Sequence, residues 1–253
     1  MIIVKSPQEI ECMREAGRIT GLALAKAGAA VRPGITTAEL NDIAHEVIVR
    51  EGAKPSFLGY NRFPASLCVS VNEQLIHGIP GKRRLKEGDI VSLDVGACIH
   101  GFHGDSAATF AAGAITDEAK RLIEVTRQCF YDAAAAVQEG VRVGEVSKAM
   151  QRRAEGAGFN VVRQWTGHGV GANLHEDPEV PCFAGSGRGP RLMAGMTIAI
   201  EPMINMGGHR VEYAADGNTV VTCDGKICAH YEHTVLVTKD GCELLTYIEG
   251  LSV

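Results

Sequence analysis

The sequence predicts an α+β fold, a mostly antiparallel sheet covered by helices, on three observations. Helical and strand-like segments come in mixed runs rather than in strict strand–helix alternation. Two stretches with the pattern of a helix pair are each followed by β-rich segments. No low-complexity linker divides the chain, so residues 1–253 are expected to form a single domain with pseudo-equivalent halves, roughly 1–115 and 116–253.

Each element has its own reason. Ser6-Pro7-Gln8-Glu9 opens a first helix with a capping box and a proline suited to the first turn. Ile10, Met13, Gly17, Thr20 and Leu24 follow at roughly helical spacing, and Pro33-Gly34 ends the segment. Thr36-Thr37-Ala38-Glu39 starts a second helix with Leu40, Ile43, Val47 and Ile48 on its apolar face, and Gly52 stops it. Asp117-Glu118 opens a third, running through Leu122, Val125, Cys129, Ala133 and Val137 to Gly140. A fourth runs from Val146 to about Glu155. The linkers Val31-Arg32-Pro33-Gly34 and Val141-Arg142-Val143-Gly144 match, as do the endings Glu51-Gly52-Ala53 and Glu155-Gly156-Ala157, a weak internal duplication. Strands are expected at Leu67 to Val71, Asp89 to Val95, Ala107 to Phe110, Thr197 to Glu201, Asn218 to Cys223 and Thr234 to Thr238.

Composition narrows the function class. Hydrophobic residues make up 45% and charged residues 22%, which permits an ordinary core. The net charge of −5 argues against a broad polyanion binder, so no DNA partner is expected. The basic run Lys82-Arg83-Arg84 with Lys86 reads as a solvated turn, with a transient ribosome contact as the alternative. The N-terminus lacks the form of a signal peptide, and no apolar run approaches the roughly 20 residues of a membrane span. A cytoplasmic protein, with eight scattered cysteines as reduced and mostly buried thiols, is the expectation. Nothing demands more than a monomer.

Four acids stand at the expected ends of apolar strands: Asp94, Asp105, Glu201 and Glu232. Asp94 and Asp105 are symmetric about the gap between Ile99 and His100. A regular hairpin turning there sets them opposite each other with Cβ atoms roughly 5 Å apart. Two ionised carboxylates so placed repel, and a divalent cation removes the penalty. A protonated pair of the aspartic-protease kind is the alternative, without the two similar lobes that each donate one Asp. His168, between Gly167 and Gly169, is expected to face a cleft or a metal. His77 and His175, taken alone, read as loop histidines. His100, His103, His209, His230 and His233 read as structural or solvent-exposed, and His45 as surface. One imidazole with four carboxylates suits Mn, Fe(II), Co or Zn, and with bridging acids it can hold two ions about 3.5–4 Å apart.

The stretches Asn72–Pro80 (NEQLIHGIP), Asp89–Phe110 (DIVSLDVGACIHGFHGDSAATF), Thr166–Pro178 (TGHGVGANLHEDP), Thr197–Pro202 (TIAIEP) and Tyr231–Val235 (YEHTV) together resemble the type I methionine aminopeptidases, in order and across essentially the whole chain. The resemblance implies the pita-bread fold with pseudo-twofold halves. It implies a metallo-exopeptidase that removes the initiator methionine from nascent polypeptide N-termini when the second residue is small, by hydrolysis with water activated at a dinuclear site. In that pattern Asp94 binds one metal, His168 and Glu201 the other, and Asp105 and Glu232 bridge. Glu201 also accepts and donates protons, His77 contacts the substrate near its amino end, and His175 stabilises the tetrahedral intermediate. Phe57, Tyr60, Phe63 and Cys68 form the methionine pocket, with Phe57 at its rim. The chain departs from the commonest bacterial pattern at Phe57, Leu174 and Asn218, where many relatives have Cys, Phe and Trp.

Two other readings compete. A prolidase or Xaa-Pro aminopeptidase shares the metal core but usually carries a large extra N-terminal domain, for which the start of the first helix at Ser6 leaves no room. A non-catalytic relative that binds ribosomes or RNA tends to lose ligands and gain basic extensions, whereas all five ligand positions are filled here.

Overall fold

The computed structural model describes residues 1–185 and 187–247. Four helices, α1 (Pro7–Ala29), α2 (Thr37–Arg50), α3 (Asp117–Ala135) and α4 (Val143–Gly156), come as two pairs, each followed by strands. The first pair precedes β1 (Lys54–Pro55), β2 (Leu67–Val71), β3 (Gln74–Ile76), β4 (Asp89–Ile99) and β5 (Phe102–Ala112). The second precedes β6 (Asn160–Val161), β7 (Thr166–Gly169), β8 (Glu176–Pro181), β9 (Thr197–Ile200), β10 (Met203–Asn205), β11 (Val211–Tyr213), β12 (Val220–Thr222), β13 (Cys228–His230), β14 (Glu232–Val237) and β15 (Cys242–Leu244).

The main sheet runs β1-β4-β5-β14-β9-β7-β8, with β2 also on β4 and β15 on β14. Every strand pair in it is antiparallel. Two smaller sheets, β13-β10-β6 and β11-β12-β3, flank it.

Local chemistry sets the helices. The capping boxes at Ser6/Glu9 and Thr36/Glu39 both form, each satisfying two orphan backbone donors. Thr116 caps α3 through its hydroxyl. No side chain caps α4; instead Val143 and Gly144 donate to the carbonyls of Pro190 and Arg188, both 3.0 Å away. That remote support lets α4 begin at Val143, three residues before the expected start at Val146. The Thr20 hydroxyl of α1 accepts from Ala97 N–H of β4 at 3.1 Å, fixing the helix on the long hairpin. One continuous apolar cluster joins both helix pairs through the sheet, from Leu40 and Ile48 to Leu93, Ile198, Phe130 and Met150.

The hairpin departs from expectation in a way that matters for the site. The glycine-rich stretch 96–104 is strand on both sides of a two-residue turn, His100–Gly101. Asp94 and Asp105 are therefore mid-strand residues, not strand ends. The pairing Ile99↔Phe102 centres the turn one position later than the symmetry of the two acids implies. Asp94 faces Ala107, and Asp105 faces Gly96.

The basic side chains Lys82, Arg83, Arg84 and Lys86 are exposed between β3 and β4, where Arg84 donates to the Gly34 carbonyl at 2.7 Å. All eight cysteines are unpaired; Cys68, Cys129, Cys182 and Cys228 are buried, three are half-buried and Cys223 is exposed, so the expected burial holds for half of them. Among the described residues no helix is long and apolar enough to cross a membrane.

Candidate metal centre and substrate pocket

The sheet register lays the acids along one face. Residues directly opposite in an antiparallel pair project to the same side, as do residues two apart in one strand. Cys68, Asp94, Ala107 and Glu232 form one row across β2, β4, β5 and β14. The next row holds Gly96 and Asp105, and the Thr234 hydroxyl locks onto Asp105 by accepting from its N–H at 3.0 Å and donating to its carbonyl at 2.8 Å. His233 pairs with Ile200, so Glu201, one residue beyond β9, comes level with Glu232. Asp94 and Asp105 are thus diagonal neighbours, a spacing of roughly 7–8 Å between opposed backbones rather than the 5 Å of a facing pair. Small residues separate the acids. At Gly96 a Cβ would stand 2.8 Å from the Ser56 Cβ and 3.0 Å from the Phe57 ring.

His168 completes the set from β7. Its Nε2 lies 3.5 Å from Glu201 Oε1 and 3.8 Å from Asp105 Oδ2. Ligand atoms of Asp105, His168 and Glu232 all lie within 4.8 Å of one another. The His168 Nδ1 sits 2.8 Å from the Gly169 carbonyl, an acceptor, so Nδ1 carries the proton and Nε2 presents a bare lone pair. Gly169 permits this tight packing: a Cβ there would meet the Glu176 backbone at 3.0 Å.

Electrostatics show what the cluster lacks. Burial pushes the Asp94 carboxyl up to about 7. Burial first, and neighbouring acids second, hold Asp105, Glu201 and Glu232 well above the usual carboxylate range. Burial also drops His168 to about 3, which keeps it neutral. Asp94 Oδ1, Asp105 Oδ1 and Glu232 Oε1 are buried with no hydrogen-bond partner among the described residues. Four crowded acids with orphaned oxygens and a lone-pair imidazole fit a multivalent cation, which supplies the missing positive charge.

The centre opens into a cavity of about 1150 Å³ that also reaches His77, His175 and the apolar residues singled out from sequence. Phe57, Phe63, Cys68 and Leu174 pack with Ala65 as a separate apolar cluster beside it. The expected arrangement is reversed in one respect. Phe57 is 8% exposed and belongs to the wall, whereas Tyr60, at 39%, stands at the rim. The Tyr60 hydroxyl is spent on His175, 2.9 Å from its Nδ1. His175 lies against His168, ring centroids 4.1 Å apart. His77 holds a left-handed backbone (φ 59°), which directs it from the β3 end into the cavity, edge-on to Trp165 at 5.0 Å. Burial, then His175, lowers the His77 imidazole to about 4. Leu174 and Asn218 both line the cavity.

Two histidines read alike from sequence part company. His233 is a satisfied core residue, with Tyr231 Oη at 3.0 Å and Thr246 Oγ1 at 2.7 Å. His230 is 2% exposed, has no partner on either ring nitrogen, and points Nε2 at Glu201 and Glu232. Its position two residues before Glu232 carried the signal, since alternation along extended chain puts i and i+2 on one side. His45 and His103 are half-buried and hydrogen-bonded to Ser66 and Ser56.

Residues 11–239 match the model of metallopeptidase family M24. The chain is 53% identical over 249 residues to a methionine aminopeptidase of Clostridium perfringens, covering 98% of this chain and 100% of that one. It is 50% identical over 248 residues to methionine aminopeptidase 1 of Bacillus subtilis, with 98% and 100% covered. The crystal structure of a methionine aminopeptidase from Thermotoga maritima superposes with a TM-score of 0.96 at 44% identity, covering 98% of this chain and all of that one. The prolidase of Pyrococcus furiosus shares the fold at a TM-score of 0.80 and 24% identity, and the chain spans 66% of it.

Proposed function

The chain belongs to metallopeptidase family M24, within its methionine aminopeptidases and with their pita-bread fold, and from that membership we propose how its own residues act. It hydrolyses the first peptide bond of proteins and peptides that begin with methionine and have a small second residue. One observation carries the reading: three buried acids, the half-buried Asp94 and the bare Nε2 of His168 line one cavity whose adjoining wall is apolar.

Asp94, Asp105, His168, Glu201 and Glu232 would hold two divalent ions, with Asp105 and Glu232 shared between them and Asp94 and the His168–Glu201 pair serving one each. The donor set, oxygen-rich with a single imidazole, suits Mn, Fe(II), Co or Zn. Ions bound there lower the pKa of water and polarise the scissile carbonyl.

The protein supplies binding, orientation and protons. Phe57, Phe63, Cys68 and Leu174 receive the methionine side chain, whose flexible thioether packs well against mixed aromatic and sulfur surfaces. Tyr60 closes the rim. His77 contacts the substrate close to its amino end, and its neutral ring leaves it able to donate one hydrogen bond and accept another. His175, its Nδ1 satisfied by the Tyr60 hydroxyl, donates from Nε2 to the oxygen that gains charge. Glu201 takes a proton from water and returns it to the leaving amine.

The test is to strip the protein with a chelator, restore Mn, Fe(II), Co or Zn singly, and measure metal equivalents beside hydrolysis of Met-Ala-Ser. Two equivalents with restored activity are expected. Equal kcat/KM on Met-Ala, Leu-Ala and Met-Lys peptides would reduce the reading to a general metalloaminopeptidase.

A further inference from the structure

We propose that His230 is a positioning residue of the metal centre, a buried Nε2–H donor that orients the Glu201 and Glu232 carboxylates. The inference rests on the metal-centre reading above.

The backbone of His230 is fixed. The Thr109 hydroxyl accepts from its N–H and donates to its carbonyl, both at 2.9 Å, and Ser92 Oγ stands 2.8 Å behind that hydroxyl. The residue ends β13, where it pairs with Met203 just before the chain crosses into β14 and the main sheet. The ring is almost wholly buried, and neither nitrogen has a partner among the described residues. A buried polar ring is costly to leave unpaired, so an orphaned one aimed at a functional cluster calls for an account. Nε2 is 3.7 Å from Glu201 Oε2 and 3.9 Å from Glu232 Oε2. The other Glu201 oxygen faces His168 Nε2 at 3.5 Å. Two imidazoles therefore bracket the Glu201 carboxylate, one on each oxygen.

Tautomer logic separates the two rings. A histidine that ligates a metal almost always donates its other ring N–H to an acceptor. His168 does so through Nδ1 and the Gly169 carbonyl. His230 Nδ1 has no acceptor, while its Nε2 faces groups that when ionised only accept. The neutral Nε2–H tautomer suits this setting, because it aims the donor at the two carboxylates and leaves only a lone pair at Nδ1. His168 is thus built as a ligand and His230 as the donor behind the ligands, holding Glu201 in one rotamer while its other oxygen is used.

The test uses the full chain stripped of metal, comparing wild type, His230→Leu and His230→Gln by calorimetric titration with Mn(II), with circular dichroism to check folding. His230→Leu should fold and bind Mn(II) about 10–100-fold more weakly, the usual effect of losing such an outer partner. His230→Gln, whose amide can donate from the same place, should stay within about threefold of wild type on the same ground. Electron spin-echo spectra with one Mn(II) equivalent should show one coordinated imidazole in all three. Unchanged affinity in His230→Leu overturns the proposal, as does a loss in His230→Gln as large as in His230→Leu. A second coordinated imidazole present only in wild type overturns it in favour of direct ligation. Failure of wild type itself to bind Mn(II) strikes the metal centre, and the proposal with it.

Discussion

The Tyr60 hydroxyl lies 2.9 Å from Nδ1 of His175, and the two rings stack at 5.2 Å between centroids with 22° between their planes. A phenol that donates to Nδ1 leaves the imidazole proton on Nε2, and burial raises the Tyr60 pKa, so the donor keeps its proton. The pocket rim and the proposed oxyanion donor are therefore one mechanical unit.

Tyr60→Phe keeps the ring and removes the hydroxyl. We expect kcat on Met-Ala-Ser to fall about tenfold, the worth of one ordinary hydrogen bond, with metal content intact. His175→Ala should lower kcat by about 10²–10³, the scale for one lost oxyanion donor, also with metal retained. Steady-state kinetics and metal analysis check both. A raised KM with unchanged kcat in either variant would assign that residue to ground-state binding alone. His77→Ala should likewise spare the metals.

Asp105→Asn and Glu232→Gln each remove a carboxylate that we propose the two ions share. Activity should be lost and bound metal should drop below two equivalents, read by elemental analysis. The metal-free variants should be at least as heat-stable as metal-free wild type, because each removes one acid from a buried cluster of like charges. Full turnover with two ions bound would remove both residues from the centre.

The metal-free protein should lose stability as pH rises. The folded state holds the Asp94 carboxyl up near 7, and Asp105, Glu201 and Glu232 are also held well above the usual range, by burial first and by neighbouring acids second. Unfolded carboxyls titrate near 4. Between those values the folded chain binds more protons than the unfolded one, so stability falls with rising pH. Thermal unfolding after chelation should give a lower Tm at pH 8 than at pH 5.5, and added Mn(II) should raise Tm more at pH 8. A chelated Tm independent of pH would contradict the buried-acid account.

Phe57→Cys should enlarge the pocket wall. Since Phe57 is buried against Phe63, Cys68 and Leu174, the change should cost about 2–4 kcal/mol of stability, in the range for large-to-small core substitutions. It should also admit bulkier side chains at the first position with little loss on Met-Ala peptides. Chemical denaturation and kcat/KM over a substrate panel test the two halves separately. Unaltered preference in a variant of lowered stability would mean that the pocket collapses onto the space.

Local signals carried most of the fold. Ser6 with Glu9 and Thr36 with Glu39 marked two helix starts because both partners lie within one turn. The start of α4 was not legible, since its first N–H groups bond carbonyls more than 40 residues away. The residues of the candidate site were visible one by one, but their arrangement was not. Glycines at 96, 101 and 104 each offered a turn, and only strand pairing selects His100–Gly101. β7 escaped notice because Thr166-Gly167-His168-Gly169 lacks the β-branched alternation that announces a strand; it is held by neighbours on both sides instead. His230 was only half legible: its spacing of two from Glu232 placed it on that acid's side, but its other neighbour, Glu201, is distant in sequence.

The turn at His100–Gly101 has left-handed backbone at both positions, φ 54° and 81°, the geometry of the tightest hairpin loop. Such a loop fixes register by length. One residue inserted there would slip the pairing by one and rotate Asp105 to the reverse side of the sheet relative to Asp94. A change of letter that keeps the count, at His100 for instance, leaves both acids where they are. At this turn the count of residues therefore matters more than the identity of the one at His100, while Gly96, Gly101 and Gly104 stay constrained by close packing or by positive φ.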